Sequence, residues 1–360
     1  MKKINALVTS VGGIVAQGII KSLKFHNNYS ENKTHDYIIY GTDIAYESSG
    51  LFRVDKFSLI GKPESEGYID SIISICNNND IDIVFIGSDV ELSKLSSNQK
   101  QIESNTHAKI LANPFDVIER CRDKHKTYQF LKENSLNYIP SCLAEESEGF
   151  IKEYKFPLIV KPCEGFGSKL FFIVNDGDDL AYAVSSIQRY GWRPLMQKYL
   201  GDDNKEFTAG VTINRNGLET MSSIVIKKIL KHGQTYKAII DDYPEIKKIS
   251  EETAKKIGGI GAINIQLRVD VDDDNDIAKI IEVNPRFSAT CPLRTVAGIN
   301  EPDIVMRNTL FGENIKITDY RTLICLRYWN ETYLDLERFR EIKNSNEKTK
   351  SLKSTLIDYF

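Results

Sequence analysis

The chain has 360 residues, of which 41% are hydrophobic and 27% charged, and its formal net charge is -3. That balance suits two or three folded units with real cores and excludes a disordered chain. Lys and Arg are scattered among nearly equal numbers of carboxylates, so the basic footprint that neutralises nucleic-acid phosphates is missing and no nucleic acid is expected as partner.

Residues 4–9 (INALVT) form a short apolar run closed by Ser10 and Gly12-Gly13, and residues 14–25 continue with apolar positions at helical spacing. That is strand, tight turn, helix. A second strand over 37–40 ends in Gly41-Thr42-Asp43, and a third over 81–86 ends in Gly87-Ser88-Asp89, with a helical stretch over 67–76 between them. The alternation predicts a parallel sheet with crossovers, a doubly wound α/β unit whose ligands sit at the carboxyl ends of its strands.

Asn113-Pro114 marks a turn, after which residues 115–134 read as a helical pair that Pro140 stops. Residues 155–161 (KFPLIVK) predict a strand ending at Lys161-Pro162, followed by the small-residue loop Gly165-Phe166-Gly167-Ser168 and a strand over 170–174. From Pro194 strands follow one another over 195–200, 207–214, 221–229, 262–271 and 277–283, with a helix over 249–257. Hairpins of this kind predict an antiparallel sheet and an α+β unit. Residues 270–276 are acidic but lack the glycine and terminal glutamate of an EF-hand loop, so a solvated hairpin tip is expected there.

Cys76, Cys121, Cys142, Cys163, Cys291 and Cys325 stand singly, without the spacing of a zinc site or the density of a secreted scaffold. They read as reduced thiols in a cytoplasmic protein. The apolar run after Met1-Lys2-Lys3 breaks at Gly12-Gly13 and no other stretch reaches the length of a membrane span, so no membrane partner is expected.

The densest chemical signal is Ile281-Glu282-Val283-Asn284-Pro285-Arg286. In a strand Glu282 and Asn284 share one face, Ile281 and Val283 the other. A carboxylate and an amide oxygen two residues apart suit Mg2+, which takes one or two protein oxygens beside substrate phosphates; taken alone, such a polar face more often meets solvent. Folding about the acidic tip near Asp273 brings Gln266 across from Glu282. Pro285 ends the strand and leaves Arg286 beside the polar face, where a guanidinium can hold an oxyanion.

With Gln266 upstream, Glu282-Val283-Asn284-Pro285-Arg286 resembles the metal-binding signature of ATP-grasp ligases, above all that of the carbamoyl-phosphate synthase large subunit. The likeness runs through residues 4–310 in the family's order. Lys124, after Arg122-Asp123, resembles the first phosphate lysine, and Lys161 in Ile159-Val160-Lys161-Pro162 the second. Gly165, Gly167, Ser168 and Lys169 resemble the flexible loop over the nucleotide phosphates. Gln197, Lys198 and Leu200 resemble the hinge that contacts adenine, and Glu206 the glutamate that holds the ribose hydroxyls.

The resemblance implies an ATP-grasp fold: a doubly wound N-terminal pre-ATP-grasp domain at 1–113, a lid subdomain at 114–193, an antiparallel-sheet subdomain for metal and nucleotide at 194–335, and a tail at 336–360. It implies ATP and Mg2+ as cofactors, with Mn2+ as a substitute, Gln266, Glu282 and Asn284 as metal ligands, and Arg286 and Lys161 as catalytic residues. The implied reaction joins a small-molecule carboxylate to an amine through an acyl phosphate, in a chain that can form homo-oligomers. A carbamoyl-phosphate-type partial reaction, a split subunit and a non-catalytic nucleotide-binding protein are the alternatives. The segments 9–13 and 88–89 are expected on the acceptor side of the cleft, with Thr290, Arg294 and 327–330 as candidate pocket residues. Cys163 and Cys291 have no histidine nearby in sequence and are not expected to act as nucleophiles.

Overall fold

The computed structural model describes residues 1–31, 33–165, 169–201, 205–231, 234–270, 277–328, 330–345 and 347–352. The loop residues Gly167 and Ser168, most of the acidic tip and Trp329 lie outside the described residues.

The first 111 residues run β1 (Lys2–Val8), α1 (Ile14–Tyr29), β2 (His35–Asp43), β3 (Lys56–Leu59), α2 (Tyr68–Asn78), β4 (Ile83–Phe85), α3 (Asp89–Ser97), α4 (Gln99–Asn105) and β5 (Lys109–Leu111). All strand pairs are parallel, in the order β3-β2-β1-β4-β5. A parallel sheet is covered on both faces, which is why β1 reads as a nearly unbroken apolar run, with Ile4, Ala6, Leu7 and Val8 all buried. The winding direction reverses between β1 and β4, and the crevice where such sheets take ligands opens there.

Next come α5 (Phe115–Arg122) and α6 (Lys124–Glu133), the expected helical pair. Asp123 separates them and caps α6, its carboxylate accepting from the backbone N–H groups of His125 at 2.9 Å and Lys126 at 3.1 Å. β6 (Ser141–Leu143), α7 (Ser147–Tyr154), β7 (Leu158–Pro162), β8 (Phe172–Val174), α8 (Gly177–Gln188) and β9 (Pro194–Lys198) follow. Their strands form an antiparallel sheet ordered β6-β9-β7-β8. Phe150 of α7 and Ala183 and Ile187 of α8 pack on its Leu158, Val160 and Met196.

The third group holds β10 (Glu206–Ile213), β11 (Thr220–Lys231), β12 (Gln234–Ile240), α9 (Pro244–Lys256), β13 (Gly261–Val269), β14 (Ala278–Asn284), α10 (Cys291–Ala297), α11 (Glu301–Phe311), β15 (Leu323–Leu326) and α12 (Leu336–Asn344). Its six strands are ordered β14-β13-β10-β11-β12-β15, antiparallel throughout. One face buries Phe207, Val211, Ile265 and Val283 against α5, α6 and α9. The opposite face is polar along β10 and β13, and α10 and α11 close over one end of it.

The sequence does not announce α10 and α11 because Pro292 and Pro302 read as breakers. Each sits in the first helical turn, where a missing N–H costs nothing. The charged tail forms α12, and its Phe339 ring lies 6.0 Å from that of Phe52 in the first unit. Among the described residues no helix is long and apolar enough to cross a membrane.

Candidate functional site

Two lysines from different elements meet in one cleft. Lys124 opens α6; its backbone N–H donates to the Cys163 carbonyl at 2.8 Å and its ammonium to the Gly165 carbonyl at 2.9 Å. Lys161, near the end of β7 and only 7% exposed, donates to Gln197 Oε1 on β9 at 2.8 Å. Gln197 Nε2 in turn donates to Ser141 Oγ on β6 at 3.0 Å. Burial, and after it the repulsion of Lys124, push the Lys161 ammonium down to about 8, while Glu282 pulls the other way. Lys124, Lys161, Gln197 and Glu282 line this cleft together with Tyr138 and Ile280.

Gln266 stands opposite Glu282 in the β13–β14 register, as expected, with a bulge immediately after it. Its Nε2 donates to Glu282 Oε2 at 3.0 Å and its Oε1 accepts from Lys228 Nζ at 2.9 Å. Lys228 also pairs with Glu206, whose other oxygen takes Arg268 Nη2 at 2.8 Å. Burial alone would raise the Glu206 pKa, but Lys228 and Arg268 hold it below the usual carboxylate range. A hydrogen-bonded ladder thus crosses β14, β13, β10 and β11. Gln266 is a bridge within it, both ends engaged, and Glu206 is its ion-pair centre.

Past the end of β14, Arg286 grips Asp89 with two hydrogen bonds, Nε to Oδ1 at 2.5 Å and Nη2 to Oδ2 at 3.0 Å. Nη2 also donates to Asn284 Oδ1 at 3.1 Å. This two-pronged geometry suits any carboxylate or phosphate placed there. The buried Nδ2 of Asn284 has no hydrogen-bond partner, so a bound group would complete that end of the amide. Asn284 shares its strand face with Glu282, and its Oδ1 keeps a second lone pair beside the one that accepts from Arg286. Glu282 and Asn284 therefore fit a Mg2+ ion whose remaining positions go to water and phosphate.

Other expected positions serve differently. Lys198 pairs with Asp270 Oδ2 at 2.7 Å, Leu200 is buried and Lys169 is exposed. Arg294 does not line an open pocket: it is 0% exposed, donating to Glu301 at 3.1 Å, Thr208 Oγ1 at 3.2 Å and Asn264 Oδ1 at 2.9 Å. Because Asn264 faces Asn284 across the sheet, Arg294 braces the polar face from beneath. Burial pushes the Cys163 thiol up to about 11, and burial with the Glu301 charge pushes Cys291 well above its ordinary value. Both are poor nucleophiles in that state.

On the side of the first unit, Glu91 gathers the two loops at the sheet reversal. Its Oε2 accepts from Thr9 Oγ1 at 2.6 Å, Ser10 Oγ at 2.7 Å and Ser88 Oγ at 3.0 Å, and its Oε1 from Tyr68 at 2.7 Å. Asp89, at the start of α3, is thereby held toward Arg286.

A family model described as an ATP-grasp domain matches residues 121–290, and one described as a PylC-like N-terminal domain matches residues 17–109. The chain carries an ATP-grasp domain. It is similar to the carbamoyl phosphate synthase arginine-specific large chain of Geobacillus stearothermophilus, 28% identical over 203 residues that cover 51% of this chain and 18% of that one. It thus spans about a fifth of the length of that relative. Two solved structures share the fold. N5-carboxyaminoimidazole synthetase from Staphylococcus aureus complexed with ADP has a TM-score of 0.70 at 16% identity, over 99% of this chain and 92% of that one. The L-amino acid ligase from Bacillus licheniformis has a TM-score of 0.65 at 16% identity, over 96% of this chain and 86% of that one.

Sequence reasoning placed Asp89 on the acceptor side of the cleft but missed several residues of this ATP-grasp site: Lys228, Arg268 and Glu91. The available signal was strand parity, since register places Lys228 and Arg268 on the face that carries Glu206.

Proposed function

We propose that this ATP-grasp chain is an ATP-dependent ligase that joins a carboxylate to an amine through an acyl phosphate, releasing ADP and phosphate. The observation that carries the reading is the single cleft in which Lys124 and Lys161 face Glu282, with Asn284 and Arg286 next along the chain. Two ammonium groups from separate elements neutralise a polyphosphate, and Lys124 also holds the backbone of the glycine loop at Gly165. A Mg2+ ion at Glu282 and Asn284 would neutralise the phosphate oxygens and align the chain for in-line transfer. The Gln197 side chain is occupied by Lys161 and Ser141, so adenine is left to the backbone around Lys198 and Leu200.

In the first step a carboxylate oxygen attacks the γ-phosphorus and ADP leaves. In the second the amine nitrogen attacks the acyl carbon, loses a proton and expels phosphate. Arg286 exchanges Asp89 for the anionic oxygens of the acyl phosphate, which lie where its fork already points. The residues of the nucleotide cleft and the arginine are present together, as a catalyst requires and a mere binder does not.

A second reading rests on the likeness to carbamoyl phosphate synthase: the carboxylate would be bicarbonate. Both are tested by screening carboxylic acids and amines in pairs, and bicarbonate alone, for phosphate release from Mg-ATP. Release that needs both members of one pair supports the ligase. Release with bicarbonate and no added amine supports the second reading, and nucleotide binding without turnover in any arm sinks both.

A further inference from the structure

Beside the loop that carries Arg286, cations gather without carboxylates to match them. Gly18 on α1 lies so close to that loop that a Cβ on it would sit 3.2 Å from the Ser288 carbonyl oxygen and 3.4 Å from Ala289 Cα. Lys21 follows three residues later on the same face of α1, with Lys24 a turn beyond it. From the other side, Arg327 Nη2 donates to the Ala289 carbonyl at 3.3 Å and Nη1 to that of Thr235 at 3.2 Å. Strand parity sets its direction: Leu323, Cys325 and Arg327 alternate onto one face, and Leu323 and Cys325 pack against the core that α1 covers. Arg53 arrives from the turn Ser49–Arg53, whose Leu51 and Phe52 share that core with α1.

These groups feel one another. Lys21 has an exposed side chain, yet its pKa is lowered, by the protein crowded around it first and then by the charges of Arg327 and Arg53. Burial lowers the pKa of half-buried Arg53, and no carboxylate holds it up. The nearby acid is Asp55, which acts on Lys24 and accepts from the Ile39 backbone N–H at 2.7 Å. Around the polar sheet face the opposite holds: Lys228 and Arg268 pair with Glu206, Arg294 with Glu301 and Arg286 with Asp89. Among the described residues Lys21, Arg53 and Arg327 make no such pair.

Like charges held this close repel, and an anion between them relieves the repulsion. A guanidinium carries five N–H donors, and Arg327 gives carbonyls only the two contacts above, so donors remain for a ligand. Forks of this kind with an ammonium beside them suit a carboxylate or a phosphate. Ala289 is three residues from Arg286, so their Cα atoms are at most about 11 Å apart, a gap that one small molecule bridges.

We propose, resting on the ligase reading above, that Lys21, Arg53 and Arg327 hold an oxyanion at the far end of the co-substrate whose reacting end meets Arg286. That co-substrate then carries a carboxylate or phosphate besides the group that reacts.

Full-length protein saturated with Mg2+ and a non-hydrolysable ATP analogue, which occupies the triphosphate cleft, is titrated calorimetrically with inorganic phosphate and, separately, with malonate. One equivalent of one of these anions should bind, and the one that binds names the source. Arg327→Gln and Lys21→Gln, each checked for folding by circular dichroism, should weaken it about 10- to 100-fold, the worth of a charge-assisted hydrogen bond. Lys21→Arg, which keeps the charge, should retain most of the affinity, and Lys152→Gln, at an exposed lysine of α7, all of it. Wild-type protein that binds neither anion overturns the site, as does binding that survives both glutamine variants. So does binding lost only in Arg286→Ala, because the anion would then sit in the Arg286 fork. A substrate screen without turnover beside intact anion binding sinks the ligase reading alone. Turnover that is undiminished when the far oxyanion of an active co-substrate is replaced by its neutral amide or alcohol sinks this inference alone.

Discussion

Arg286 is the residue on which the proposed chemistry turns, because its guanidinium is already engaged with a carboxylate, Asp89, at 2.5 Å and 3.0 Å. Arg286→Ala should lower kcat by about 100- to 1000-fold, as removal of an oxyanion donor does, and leave nucleotide affinity unchanged. Arg286→Lys should recover little, since an ammonium cannot make the two-pronged contact. Steady-state kinetics beside a titration with a non-hydrolysable analogue decide it, and full turnover in the alanine variant removes the assigned role. Lys161 makes a second prediction. Its pKa falls from 10.5 to about 8 on folding, so the unfolded chain binds the extra proton between those values and stability from this group rises with pH across that window. Nucleotide binding runs the opposite way because it needs the charge. At pH 9 about a tenth of Lys161 is charged, so the Kd for the analogue should rise about tenfold over its value at pH 7. Lys161→Arg, which keeps its charge, should flatten the profile. A wild-type Kd that does not change between these pH values would show that Lys161 does not hold phosphate.

At the scale of elements, legibility followed the local pattern. The parallel unit, the α5–α6 pair and the β13–β14 hairpin were readable because apolar period, Gly and Pro punctuation and strand parity all act within a few residues of one another. The pairing of Gln266 with Glu282 came from that parity. Lys228 and Arg294 were not readable in the same way, because a charge in a strand or helix looks solvated until register brings a distant partner to it. Glu206 and Glu301 are those partners. Gly210 on β10 exposes the same dependence. A Cβ there would lie 1.7 Å from Glu301 Oε1 and 2.3 Å from Arg294 Nη1, so the buried ion pair fits over β10 only while that position has no side chain. Gly210→Ala should cost about 1 to 3 kcal/mol by overpacking and separate Arg294 from Asn264. Denaturant unfolding reads the first effect and weakened Mg2+-dependent nucleotide binding the second. An unchanged unfolding midpoint would mean that Arg294 and Glu301 have other room.

Across the whole molecule, the first unit is tied to the ATP-grasp core at separate points. Asp89 holds Arg286, and Asn113 donates to the carbonyls of Ala262 and Pro285, each at 2.9 Å. The tail ties back onto the first unit from the other end of the chain. Phe57 and Lys350 exchange two backbone hydrogen bonds of 2.8 Å, which pairs the open edge of β3, and Lys343 reaches Glu47 at 3.0 Å. Lys350 is 8% exposed, its ammonium donating to Tyr46 and to the carbonyls of Ile342 and Ser345. These contacts lie on β3 and on residues 46–52 before it, whereas the cleft of Lys124 and Lys161 lies between α6, β7, β9 and β14, so the tail should govern stability without touching ATP. Removing residues 336–360 uncovers Phe52 and leaves the β3 edge unpaired. The loss should be at least about 2 kcal/mol, the worth of one buried aromatic side chain, with a greater tendency to associate through the bare edge. Unfolding midpoints and light scattering measure those effects, and analogue titration should return the full-length affinity. If the truncated chain is as stable as the whole, the tail is not a strap; if it stays folded but loses nucleotide affinity, the tail reaches the cleft after all.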